Sequence, residues 1–212
     1  MAGDPIDQRQ LAAELASCVG SHASRVAWLG SIEPVDPATP SALPGWTVGH
    51  VLTHLARNAD SHVDLLDGRP QYPSLDARDR DIESGAGRAW DALVDDVASS
   101  AASLDERWAA TTDWNGAATL LSGERPRHLL PLLRQREVEV HRVDLAVGYR
   151  FDDMPGDYVR RDLRLMEMLW RARKPMGLTP LPDTALRLPP PTRLAWMMGR
   201  VEVQELPPAG LF

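Results

Sequence analysis

Apolar residues recur every three or four positions through four long stretches of the chain, the spacing of helices that bury one face. The first runs from about Ile6 to Gly30 and carries Leu11, Leu15, Val19, Val26 and Leu29. "SIEPVDPATPSALPG" follows, and its four prolines exclude a long helix there. A second helix is predicted from about Thr47, a suitable N-cap, to a stop at Gly68, with Val48, Val51, Leu52, Leu55, Ala59 and Leu66 as its stripe. The charged stretch "YPSLDARDRDIESGAG" reads as a short helix and loop. A third long helix spans about Ala89 to Ala109, with Trp90, Leu93, Val94, Val97, Ala101 and Leu104 inward. "TTDWNGAATLLSGERPR" reads as a connector, and a fourth helix is predicted from about Pro126 to Val147, with Pro131 early enough to be tolerated.

Four amphipathic helices within residues 1–150 point to a mainly α four-helix bundle with long connections. Beyond "GYRFDDMPGD" the character changes. Tyr158 to Arg173 reads as a further helix, followed by a proline-rich segment with a short helical piece, "TRLAWMMGR", and at most one or two short strands. Residues 151–212 are therefore expected to form a small α(+β) C-terminal appendage.

Composition narrows the classes of function. A net charge of −7 and a pI near 5.3 argue against nucleic acid or an anionic membrane as partner. Cys18 is the only cysteine, so an intrachain disulfide and a cysteine-rich zinc site are both excluded; in its Ala/Leu-rich setting it reads as a buried small residue. No apolar run approaches the ~20 residues that span a bilayer, and "MAGDPIDQRQ" lacks the basic flank and apolar core of a signal peptide. The expectation is a cytoplasmic protein, as a monomer or weak homodimer. No phosphate-binding glycine loop, GxSxG or dinucleotide fingerprint occurs.

The chemistry gathers on the fourth helix, "RQREVEVHRVDLAVGY". At 100° per residue, Glu137, His141 and Asp144 fall within about 80° of Leu133, on the stripe shared by Leu129, Val140 and Val147. Two acids and a histidine on an apolar stripe need compensation, because an unpaired buried carboxylate costs several kcal/mol. Glu137 and His141 stand i, i+4 and converge on one point. On the second helix His54 lies at the stripe's edge, His50 further out and His62 within the stripe. One histidine from one helix and a Glu/His pair from another make the His₂Glu set of a catalytic zinc site, whose fourth position is left to water or substrate. Zn²⁺ suits these donors best, and Ni²⁺, Fe²⁺ or Mn²⁺ use the same atoms. Other readings satisfy the same pattern: hydrogen-bonded core histidines with Glu137 paired to Arg134 or Arg57, or an independent His50/His54 pair. Asp144 reads as an orienter of a ligand or a salt-bridge partner rather than as a ligand.

"PGWTVGHVLTHLARNAD" (residues 44–60) together with "REVEVHRVDLAVGY" (residues 136–149) resembles the mycothiol-dependent maleylpyruvate isomerases, within the wider group of DinB-like metal-binding four-helix bundles, and "YPSLDARDRDIESGAGR" looks like the same family. The resemblance covers roughly residues 5–160. It implies that His54, Glu137 and His141 hold zinc and that mycothiol, a cysteine-containing pseudodisaccharide thiol, is the cosubstrate. It further implies isomerisation of maleylpyruvate to fumarylpyruvate in gentisate degradation. "LAWMMGR" resembles the stretch around the family's catalytic arginine, which implies that role for Arg200. Against longer family members the segment from Pro175 to Pro191 looks shortened, which touches the substrate pocket more than the thiol-activating centre. Two other functions fit the same metal bundle: a thiol S-transferase acting on another electrophile, and a non-catalytic metal-binding sensor or interaction module. In the enzymatic readings the partners are a small-molecule substrate and a low-molecular-weight thiol.

Overall fold

A computed structural model describes residues 6–173 and 179–210, divided into two compact units, Met1–Val147 and Gly148–Phe212. The start of the proline-rich segment at Pro175 lies outside the described residues.

The first unit is a helical bundle. Its long helices are α1 (Gln8–Leu29), α2 (Val48–Leu66), α4 (Trp90–Ala110) and α5 (Leu130–Asp144), with the short α3 (Leu75–Gly85) between α2 and α4. α2 is central, packing on α3, α4 and α5, while α1 packs on α4 and α5. α2 starts where its sequence says it should. Thr47 and His50 form a reciprocal cap, the threonine hydroxyl facing the His50 backbone and His50 Nδ1 accepting from the Thr47 N–H at 3.2 Å. Just past its end, Gly68 takes a left-handed φ of +77°, the conformation glycine adopts without strain.

The core has two apolar ends. One gathers Leu11, Cys18, Leu65, Leu104, Trp108 and Leu130, and the other Leu29, Val51, Leu55, Leu93, Val97 and Leu145. Between them the middle of the bundle is polar. Ser21, His22, Arg25, Asn58, Arg134 and Gln135 are all buried there.

Two features depart from the sequence reading. The connector after α4 contains a hairpin, β1 (Ala117–Leu120) antiparallel to β2 (Gly123–Pro126), so α5 begins later than Pro126, after a 3₁₀ turn at Arg127–Leu129. Ala118 anchors the hairpin in the core, and the Gln71 N–H donates to Thr119 O at 3.2 Å, which ties it to the loop after α2. The second departure concerns α5. Its Leu133, Glu137 and His141 positions are only partly buried, whereas Arg134, Gln135, Val138 and Arg142 on other sides are buried. Hydrogen-bonded polar side chains tolerate burial, and hydrophobic periodicity cannot register them.

The second unit is built on α6 (Gly156–Ala172), α7 (Asp183–Arg187) and α8 (Pro190–Met197), with no strand among its described residues. Trp170 and Trp196 pack with ring centroids 5.1 Å apart, and the Trp196 indole N–H donates to Pro207 O at 3.0 Å. No helix among the described residues is long and apolar enough to cross a membrane.

The approach to α2 rests on one glycine. Gly49 donates its N–H to Pro37 O at 2.9 Å, and a Cβ there would lie 1.9 Å from the Ala86 carbonyl oxygen, a backbone atom that cannot step aside. Gly49→Ala is therefore expected to destabilise the protein by about 2–3 kcal/mol despite alanine's better helix propensity. Urea unfolding checks this; a variant as stable as wild type would show that the turn at Ala86 relaxes freely.

Candidate metal centre

α2 and α5 bring three side chains to one point. His54 sits two turns into α2, while Glu137 and His141 occupy successive turns of α5. His54 Nε2 lies 2.8 Å from Glu137 Oε2, and His141 Nε2 lies 3.3 Å from the same oxygen. One donor atom from each of the three falls within 4.8 Å of the others. The imidazoles meet edge to face at 86°, centroids 4.8 Å apart, and Trp46 covers the outer edge of His54 at 5.4 Å. His54 is 6% exposed and Glu137 32%, so the cluster has a closed back and an open side toward Glu137.

Hydrogen bonds behind the cluster orient it. Asp144 Oδ2 lies 2.8 Å from His141 Nδ1 and accepts the hydrogen bond from the N–H of that nitrogen, leaving Nε2 to face Glu137. Burial opposes ionisation of Glu137, yet hydrogen bonds from His141 and His54 outweigh it and hold the carboxyl well below its usual range. Burial draws His54 down to about 4 even though Glu137 pulls the other way. Burial also disfavours the His141 cation, but Asp144 and Glu137 together raise its pKa. The result is a carboxylate anion and a neutral imidazole directed at one point, with His141 set between two acids that favour its cation.

That donor set fits a divalent cation. Tetrahedral bonds of ~2.0–2.1 Å separate ligand atoms by roughly 3.3 Å, so the His141–Glu137 spacing of 3.3 Å already matches and the 2.8 Å His54–Glu137 contact needs only a small opening. A cation would take the place of the protons that now bridge these atoms, and three protein donors leave a fourth position free.

The other residues considered in the sequence lie elsewhere. His50 caps α2 and reaches Glu83 at 3.1 Å through Nε2, so it forms no ligand pair with His54. His62 is buried further along α2, outside the cluster. Neither arginine offered as a partner pairs with Glu137: Arg57 engages Asp60 and Asp96, and Arg134 donates to His22, Leu55 O and Asn58. Arg200 belongs to the second unit, where it follows α8, is half-buried and donates to Met198 O at 2.8 Å. Two residues gain a place the sequence did not give them. Trp46 lines His54, and Arg78 of α3 stands 3.5 Å from His54 Nδ1. Nothing in the charged run separates Arg78 from Arg80.

Residues 20–146 match the family described as the mycothiol maleylpyruvate isomerase N-terminal domain, more than half of the chain. The chain belongs to that family. A crystal structure of a mycothiol-dependent maleylpyruvate isomerase, a histidine-to-alanine mutant, is 26% identical over 77% of this chain and 72% of its own, with a TM-score of 0.70. A second crystal structure of a mycothiol-dependent maleylpyruvate isomerase shares the fold at a TM-score of 0.77, over 93% of this chain and 96% of its own, at 23% identity. Among curated proteins there is no match. The matched mycothiol maleylpyruvate isomerase domain contains all of α2, α3, α4, the hairpin and α5, and with them the whole cluster.

Within this family domain a buried polar layer adjoins the cluster. Arg134 donates from Nη1 to Leu55 O at 3.0 Å and Asn58 Oδ1 at 2.7 Å, bracing α5 against α2 one turn from His54. Its Nε–H donates to His22 Nε2 at 3.1 Å, while His22 Nδ1 lies 2.8 Å from Asp105 Oδ1. That arrangement selects one neutral tautomer of His22, and burial depresses its pKa to about 4. The unfolded chain therefore takes up this proton first. The stabilising contribution is full above about pH 6.5 and is lost as pH falls toward 4, amounting to ~3 kcal/mol. Urea unfolding with a chelator present should show that loss, and His22→Asn should reduce the slope between pH 6.5 and 4 while leaving the share contributed by the buried His54 and His62; a profile parallel to wild type would place the acid sensitivity outside His22.

Proposed function

We propose that the chain is a mycothiol-dependent cis–trans isomerase that converts maleylpyruvate to fumarylpyruvate, with a divalent cation, Zn²⁺ by preference, at His54, Glu137 and His141. The observation that carries this reading is the convergence of three donor atoms within 4.8 Å, with a buried carboxylate behind one of them. Family membership and the activity named for both crystal structures supply the substrate and the thiol.

When bound, the cation would lower the pKa of a thiol from about 8.5 and hold the thiolate at the open fourth position. The chain's own residues do the rest. Glu137 brings the negative charge that offsets the cation, and Asp144 keeps His141 in the tautomer whose Nε2 lone pair faces inward. The thiolate sulfur adds to one alkene carbon, and the π electrons move into the conjugated carbonyl as an enolate. Rotation about the resulting single bond and return of those electrons expel the thiolate and leave the trans alkene. Nothing is consumed. Arg200 is proposed as the cation that pairs with a substrate carboxylate as charge moves toward the carbonyl.

His54→Ala and Glu137→Gln are each expected to lose bound metal and thiol-dependent turnover together, read by elemental analysis and a maleylpyruvate assay with and without mycothiol. Full metal and full activity in either variant would remove the site. An isomerase needs only catalytic thiol, whereas stoichiometric consumption would identify an S-transferase. Arg200→Ala is expected to keep its metal and lose about 100-fold in kcat/KM; unchanged kinetics would reject its role.

A further inference from the structure

The two histidines of the cluster differ in what stands behind them. His141 Nδ1 has the Asp144 carboxylate at 2.8 Å, the usual arrangement for a ligating imidazole. His54 Nδ1 faces a guanidinium instead, with Arg78 Nη2 at 3.5 Å as its hydrogen-bonding neighbour. Arginine has only donors. Once His54 Nε2 is a ligand, the remaining imidazole proton resides on Nδ1, and Nδ1–H and the guanidinium N–H confront each other as two donors. The pair then needs a shared acceptor, and an oxygen placed about 2.9 Å from each satisfies both.

Arg78 is built for that role. Its side chain is 20% exposed, so it is held by the protein yet open to solvent. Its guanidinium carbon lies 5.6 Å from the centroid of the Trp46 ring, the same ring that covers His54. Its ion-pair partner among the described residues is the adjacent Asp79, bound at 2.6 Å through Nη1 but 56% exposed and well screened, so it does not neutralise the inner edge.

We infer that Arg78 is a specificity-determining residue for a carboxylate on the electrophilic substrate, which would accept from the guanidinium and from His54 Nδ1–H. This rests on the isomerase reading above and adds to it a second carboxylate anchor, within the same unit as the cluster and separate from Arg200. A planar fork beside an oriented N–H selects a carboxylate over a neutral carbonyl, so uncharged analogues of the electrophile should be poor substrates.

The test is calorimetric titration of zinc-loaded protein with maleate, a cis dicarboxylate, alongside elemental analysis and steady-state kinetics. Arg78→Met should retain wild-type zinc content, bind maleate about 10- to 100-fold more weakly and raise KM for maleylpyruvate more than it lowers kcat, with Arg78→Lys recovering part of the affinity. Wild-type maleate affinity in Arg78→Met overturns the assignment. Loss of zinc in that variant also overturns it, since Arg78 would then be a structural support of His54. Failure of the underlying reading looks different: wild-type protein that holds zinc and binds maleate, yet turns over no maleylpyruvate with mycothiol, removes the isomerase and leaves the carboxylate subsite intact.

Discussion

The structure of the first unit depends on placing a polar helix, α5, inside a bundle. Eight of its fifteen residues are polar or charged, and several of these are buried. It is held by directed bonds. Arg134 ties it to α2 through Leu55 O and Asn58, and Gln135 ties it to α1 through the Ser17 and Ser21 hydroxyls at 2.9 Å each. Arg142 reaches Ser24 and lies over the Trp28 ring at 4.5 Å. Apolar packing is tolerant of small slides, whereas a buried guanidinium that loses its acceptors incurs a full desolvation cost. The polar layer therefore fixes the register of α5 against α2, and that register decides whether His54 meets Glu137.

The same construction explains what could and could not be read from the sequence. The helices, the Thr47 cap and the Gly68 stop were legible because each is written in local chemistry: an apolar period, a side-chain acceptor, a residue that tolerates positive φ. The i, i+4 spacing of Glu137 and His141 was legible for the same reason, while the family resemblance singled out His54 among the histidines of the second helix, and the structure brings the three together. The burial of α5 was not. Its partners, Leu55 O, Asn58, His22 and Ser17, lie 76 to 118 residues away in the chain, and no window of periodicity spans that distance. The hairpin hid because its strands are four residues long and depend on Ala118 and Gln71 for support. Arg78 hid in a run of alternating charges, since its meaning comes from the Trp46 ring it approaches.

Electrostatics at the cluster follows from this architecture. Two helices deliver two carboxylates and two imidazoles into a place where water reaches only one side, and the groups must share positive charge among themselves. Protons bridge them in one state; a divalent cation would do so in another, with the same atoms facing the same point. Asp144 matters in both, because it is the most deeply buried acid of the group and fixes which nitrogen of His141 is available.

Stability and chemistry are thus divided along the bundle. The apolar ends supply the driving force for folding and the polar middle supplies alignment. A tighter, wholly apolar middle would give a sounder bundle and no reason for α5 to stop in one register. Retaining Arg134 beside His22 and Asn58 makes the wrong registers costly, since each leaves a buried donor without its acceptor. The cluster adjoins that layer, and its open side at Glu137 is the part where a ligand can approach without disturbing the bonds that align it.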